Sequence, residues 1–434
     1  MAANSPLLCI GALVAALACA CGSSSSPGAS PDAAPDPAVD AAPGERDANA
    51  PDPNAPDAGA APPPVTDDIL EQADGCAGVY NPDQVLDYHL EMAPGDWQSV
   101  LADQTYSVYM PAQLTCGEQA AVTIGVRRKR SGGTNKVGLK LDFNEVVAGQ
   151  TYYGLKKMSF ENGVSEGSTT DEAGAATYMS EYLAWRLMQR GAVISSRAVF
   201  ARLYVNGEQV GVYVNVEQVD KRFLGSRLGD KGGWLYKKSG GVRDGFKTHE
   251  TDGLEDPFDD YFCFWENGGQ ACAPPAPEVL LDELPTKLNI DQMLRFGAVN
   301  ALMANSDSPL FKDNNYYWYD WPLGRVYIPW DLDTAMNRDF NVFTGEGIGG
   351  STDAYLDVLF THWEDDYDAI LTELVSDQLS LAVIEEEIAR AAAVAGEALD
   401  GDPYIQGSAA SAAESLSNYW TQRHADVTAQ VAAH

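Results

Sequence analysis

The chain has 434 residues, a net charge of −35 and 63 acidic against 28 basic side chains. That balance argues against nucleic acid and against anionic membrane surfaces as partners. The 9 Trp and 20 Tyr call for a substantial aromatic core, while the 5 scattered His lack HExxH spacing and give no support to a zinc hydrolase.

Pro6 to Ala20 is an unbroken run of apolar and small residues, followed at once by Cys21-Gly22 and Ser23 to Ser26. The run is shorter than the about 20 residues that a transmembrane helix needs, and it has the length of a signal-peptide core. A cysteine after small residues, then glycine and serines, resembles a bacterial lipoprotein cleavage site. The resemblance implies export, lipid on Cys21 (Cys19 is the alternative) and a signal peptide over residues 1–21, although the first five residues hold no Lys or Arg. Residues 22–68 are Ala, Pro, Asp and Ser with no aromatic residue, a composition that buries too little surface to offset ordering entropy and reads as an extended acidic tether. On this reading the lipid is the membrane attachment and residues 69–434 are the folded head.

Within the head, Asn81 to Ala102 holds a short strand and then a helix opening at Pro94-Gly95-Asp96. Ala121 to Arg128 and Lys136 to Phe143 alternate as strands. Thr177 to Arg190 has apolar residues at helical spacing and ends at Gly191. Val199 to Val205 and Gln209 to Val216 flank Asn206-Gly207, a strong hairpin signal. Helices are expected at Ile290 to Asn305, Asp377 to Leu399 and Ser411 to Val431, with strands between Asn315 and Trp330. A β-rich half followed by a helix-rich half predicts a two-lobed α+β fold, the small lobe over about 79–220 and the large over about 221–430. Cys76, Cys116, Cys263 and Cys272 fit structural disulfides in an exported protein; four cysteines allow three pairings, of which the local one, Cys76–Cys116 and Cys263–Cys272, is preferred.

Chemistry concentrates in Asn305-Ser306-Asp307, Asp313-Asn314-Asn315-Tyr316-Tyr317 and Ile328-Pro329-Trp330-Asp331-Leu332-Asp333. Hard cations take oxygen ligands, commonly one or two carboxylates with phosphate and water. An acid to accept a hydroxyl proton, then an Asn and an Asp to hold metal, is the order of parts in phosphoryl transfer. Asx residues also make turns routinely, so spacing leaves both readings open. The acidic stretch Asp244 to Asp260 lacks an EF-hand pattern and reads as a solvated insertion. No Gly-x-Ser-x-Gly elbow supports a hydrolase triad.

GVYVNVEQVDK over Gly211 to Lys221, Leu235-Tyr236-Lys237 after Gly232-Gly233, Asn305-Ser306-Asp307, Asn314-Asn315-Tyr316-Tyr317 and Pro329-Trp330-Asp331-Leu332-Asp333 together resemble the CotH kinase family. These are spore-coat protein H relatives, atypical protein-kinase-like proteins, and the likeness runs from about Asp83 to the C-terminal helices. It implies Asp307 as the catalytic-loop Asp that orients and deprotonates a Ser or Thr hydroxyl. It implies Asn315 (with Asn314 in competition) and Asp331 as holders of Mg²⁺ on ATP, Mn²⁺ being possible, with Asp333 assisting or capping a turn. Lys140 is expected to hold the α and β phosphates, with Lys136 as runner-up, and Glu181 to pair with that lysine. Glu217 and Gln218 stand where a hinge would contact the nucleotide. Arg130 to Asn135 departs from the Arg-Gly-Asn-Ser-like loop of many relatives, though its backbone amides remain a candidate phosphate cradle. Two functions follow. One is a Mg·ATP-dependent kinase of protein Ser or Thr at the cell envelope. The other is a catalytically silent, kinase-shaped lipoprotein that binds cations or envelope proteins, favoured by the scarcity of ATP outside the cytoplasm.

Overall fold

A computed structural model describes residues 69–239, 242–246, 256, 258, 261–262, 275–308, 314–321, 324–339, 341–343, 359 and 362–434. The signal peptide, Cys21, the tether, the Cys263–Cys272 pair and most of Asp244 to Asp260 lie outside the described residues.

The first half runs Ile69–Gln72 (α1), Leu86–Glu91 (β1), Pro94–Ala102 (α2), Met110–Cys116 (β2), Val122–Arg128 (β3), Leu139–Asp142 (β4), Lys157–Glu161 (β5), Ala173–Gly174 (β6), Ala175–Arg190 (α3), Ala198–Val205 (β7) and Glu208–Val216 (β8). Seven of these strands close a barrel in the order β1-β2-β3-β4-β5-β8-β7. Every neighbour is antiparallel except the parallel β1–β7 seam. Alternation fills the barrel: Tyr88, Leu90, Ile124, Val126, Leu139, Leu141, Met158, Phe160, Leu203 and Tyr213 share one core. The β7–β8 hairpin turns at Asn206-Gly207, both with positive φ, the backbone that a tight hairpin of this twist requires. A disulfide joins Cys76, ahead of β1, to Cys116 at the end of β2.

The second half runs Lys221–Leu228 (α4), Trp234–Ser239 (β9), Val242–Phe246 (β10), Pro277–Glu283 (α5), Ile290–Leu302 (α6), Tyr316–Trp321 (β11), Gly324–Pro329 (β12), Glu364–Ser376 (α7), Leu381–Asp400 (α8), Ile405–Gln406 (β13) and Ala409–Ala433 (α9). A four-stranded sheet in the order β10-β9-β11-β12 sits among the helices. Among the described residues no helix is long and apolar enough to cross a membrane.

The two halves are not independent bodies of side chains. The outer face of β7–β8 (Ala198, Phe200, Val214, Val216) shares its core with α3 and the C-terminal helices, and Tyr182 stacks on Phe200 at 4.6 Å. Lys136 reaches 2.7 Å to Asp402 beyond α8, and β13 pairs in parallel with β6. The result is an α+β molecule of two lobes, with a cavity opening between barrel rim and second sheet. Several elements escape the sequence reading, among them β2, β5, α4, β9, β10 and α7, and α8 starts at Leu381 rather than Asp377.

Candidate active site

The cavity, about 420 Å³, takes its walls from both lobes. Its lower wall grows from the open end of the β11–β12 hairpin. Pairing of Tyr316 with Pro329 leaves Asn315 and Trp330 flanking that end, where the Trp330 amide donates to the Asn315 carbonyl at 3.1 Å. Asn315 and Asp331 both take left-handed backbone, φ 60° and 55°. Asn and Asp tolerate that region better than most residues, and such strain persists only where the surroundings impose it.

Asp307 follows α6 by a short loop. Its carboxylate accepts from Asn315 Nδ2 at 2.8 Å and from Asn314 Nδ2 at 3.3 Å. Asn305 fixes the loop: its Oδ1 accepts from the Asp307 amide at 3.3 Å and from Thr334 Oγ1 at 2.9 Å, while its Nδ2 donates to Asn300 Oδ1 at 2.9 Å. One buried amide side chain thereby ties the Asp307 loop to the loop carrying Asp331 and Asp333. The buried Arg423 of α9 caps the preceding helix, donating to the Ala301 carbonyl at 2.6 Å and the Leu302 carbonyl at 3.0 Å.

The upper wall comes from the barrel and α3. Lys129, just past β3, forms an ion pair with Glu161 at the end of β5, and its amide donates to the Gly138 carbonyl at 2.7 Å. Glu181 and Trp185 project from α3 into the same space. From β9, Lys237 joins them with its ammonium 5.0 Å from the Trp330 ring centre and 5.8 Å from that of Tyr317.

Acids outnumber cations here, and their affinities for protons record it. Burial first, then the carboxylate of Glu161, pushes Asp331 up to about 6; Lys129 and Lys237 oppose the shift and Asp307 adds to it. Burial, then Asp331, Glu161 and Asp307, pushes Asp333 up to about 8. Glu181 is held well above the usual carboxylate range by burial and by Glu161, Asp333 and Asp331. Crowded like charges in a low-dielectric cavity are what an added cation relieves. Among the described residues no three His, Cys, Asp or Glu side chains form a protein-only metal cage.

The structure thus brings Asp307, Asn314, Asn315, Asp331, Asp333 and Glu181 to one cavity. Four other sequence expectations need correction. Lys140 lies on β4 opposite Arg127, two residues back along β3 from Lys129, and does not line the cavity. Lys136 is fully buried against Asp402, with Tyr178 and Tyr213 beneath its ammonium. Glu217 is spent on Arg197, Arg227 and Arg222 at 2.7, 2.9 and 3.6 Å, and neither it nor Gln218 forms part of the wall. The loop amides of Thr134, Asn135 and Lys136 all donate to Asp171 at 2.5–3.0 Å, while Gly132 and Gly133 donate to the carbonyls of Val164 and Ser168. An internal carboxylate therefore occupies the backbone nest that was the candidate phosphate cradle.

Lys129, Glu161, Lys237 and Trp330 are the residues that sequence reasoning missed. The alternation of Ile124 and Val126 inward puts Arg127 and Lys129 outward, so the pattern contained the signal, but it could not say which outward lysine reaches the rim. Lys237 stood inside the quoted Leu235-Tyr236-Lys237 motif without a role.

The sequence model described as CotH kinase protein matches residues 131–427. No curated protein matches the chain. Among solved structures, a Shewanella oneidensis MR-1 toxin–antitoxin complex of HipA and HipB with operator DNA is similar at 13% identity and a TM-score of 0.32, covering 73% of this chain and 66% of that one. This chain therefore spans just under two thirds of that structure's length. With the family match extending over most of its length and its acids gathered between two α+β lobes, the chain belongs to the CotH kinase family and has a kinase-like fold.

Proposed function

We propose that the protein transfers the terminal phosphoryl group of Mg·ATP to a protein Ser or Thr hydroxyl at the cell envelope. The observation that carries this reading is the meeting, in one cavity, of Asp307 with Asn315, Asp331 and Asp333 below and Lys129 with Glu181 above. Asp307, oriented by Asn314 and Asn315, takes the hydroxyl proton as the acceptor oxygen bonds to the terminal phosphorus. The bond from that phosphorus to the bridging oxygen breaks, and its electron pair leaves with the nucleoside diphosphate. Asn315, Asp331 and Asp333 are the oxygen donors that would hold the divalent ion, which supplies positive charge to the phosphate oxygens. Lys129 is fixed by Glu161 beside the face of Trp330, 5.8 Å from its centre, so its charge reaches the cavity without wandering.

A second reading, a silent cation- or protein-binding module, draws support from Asp171. Its carboxylate holds the amides that a phosphate would otherwise take. Labelled ATP with Mg²⁺ or Mn²⁺ separates the two. The phosphotransfer reading requires that the protein label itself or a casein-like acceptor, and that Asp307→Asn lower the rate by about 10²–10⁴-fold. Labelling no better than that of Asp307→Asn or Asp331→Ala leaves the silent module standing.

A further inference from the structure

Two lysines face this cavity, and their surroundings differ. Lys129 is paired with Glu161. Lys237 is 8% exposed and rests on two aromatic faces, yet among the described residues no carboxylate comes within ion-pair distance of it. The charge of Asp331 reaches it across the cavity, but an ammonium with no direct ion-pair partner keeps a hydration deficit that aromatic faces fill only in part. An anion entering the cavity would supply what is missing.

Position says which anion. Lys237 pairs across the sheet with Tyr317, two residues from Asn315, and Asn315 donates to Asp307. Lys237, two positions along the sheet from Asn315, thus lines the same cavity as Asn315 and Asp307. A phosphate between Lys237 and Asp307 is the one nearest the catalytic acid, which in a nucleoside triphosphate is the terminal group.

We propose that Lys237 contacts the terminal phosphate of a nucleoside triphosphate and makes the cavity prefer triphosphates over diphosphates. The proposal rests on the nucleotide reading above. Its test is calorimetric titration of the full chain with ATP, ADP and inorganic tripolyphosphate, each with Mg²⁺. Lys237→Met keeps the apolar stem against Trp330, and Lys237→Arg keeps the charge; unchanged melting temperatures show that both fold. The expected result is a loss of about tenfold or more in ATP and tripolyphosphate affinity for the Met variant, against less than about threefold for ADP, with most of the loss recovered by Arg. Equal weakening of ATP and ADP, or no weakening, overturns the proposal and leaves the nucleotide reading in place. Tripolyphosphate binding that depends on Lys237, without ATP or ADP binding, sustains the anion contact and removes the nucleotide reading. Binding of none of the three by the unmodified protein removes both.

Discussion

Two buried charge clusters stand at the rim of this molecule's large core, and they are built on opposite principles. Around Glu217, one carboxylate meets the guanidinium groups of Arg197, Arg227 and Arg222. Burial alone would raise its proton affinity, but the arginines win and hold it below the ordinary carboxylate range. In the cavity, Asp331 and Asp333 lie among Glu161, Glu181 and Asp307 with two lysines near, and both are pushed up, to about 6 and about 8. In the first cluster the carboxylate has its counter-charges in direct contact. The second is left short of positive charge, the deficit that the Mg·ATP of the proposed function would meet. Burial of acids does not distinguish structure from function here; the local charge balance does.

The largest effect expected from this contrast is at the first cluster. Glu217→Ala strands buried arginines and should cost about 3–5 kcal/mol in denaturant unfolding, the range for breaking a buried pair from one side. A loss under about 1 kcal/mol would mean that water or neighbouring groups already compensate the arginines, and the contrast would collapse. Removing an acid from the cavity should do the reverse. Pushed up to about 8, Asp333 must bind a proton on folding at pH 7, a cost that the neutral amide of Asp333→Asn does not carry, so in chelator-treated protein at pH 7 its melting temperature should rise by an amount worth about 1 kcal/mol. The same variant should gain less melting temperature from added Mg·ATP than the unmodified protein does. A fall in melting temperature without metal would show that Asp333 already has its counter-charge.

The smallest effect concerns the third charged site, Asp171 beneath the glycine-rich loop. Three backbone amides hold its carboxyl down at about 2, below its ordinary 3.8. Its contribution is therefore full above about pH 4 and is lost as pH falls through about 2. Because the group is largely solvent-screened, the loss should stay below about 1 kcal/mol. Amide exchange of Thr134, Asn135 and Lys136 should quicken in Asp171→Ala at neutral pH. Unchanged exchange would mean that the loop keeps its shape without the carboxylate and leaves those amides open to a phosphate.

Local pattern carried much of the design. Asn206-Gly207 announces its hairpin because few other dipeptides accept two consecutive left-handed residues, and α3 announces itself because ten of its sixteen residues are buried at helical spacing. Asp307, Asn315, Asp331 and Asp333 were singled out by the family resemblance, since spacing alone left a turn reading open, and the fold brings the four to one cavity. Each lies in a short Asx-bearing loop beside a strand or helix end. What sequence could not carry was anything set by partners far along the chain. Lys136 meets Asp402 across 266 residues, and Lys129 meets Glu161 across 32. Lys129, Lys136 and Lys140 look alike in an alternating segment; barrel closure sends one to the rim, one into a buried ion pair and one to mid-strand. In the same way Glu217 gained its counter-charges only when three arginines converged on it, and the loop amides were closed to phosphate only when Asp171 folded back under them. The residue types fixed which groups were available for chemistry, while their roles depended on charges brought near by the tertiary fold, because the energy of a buried charge is decided by its neighbours in space.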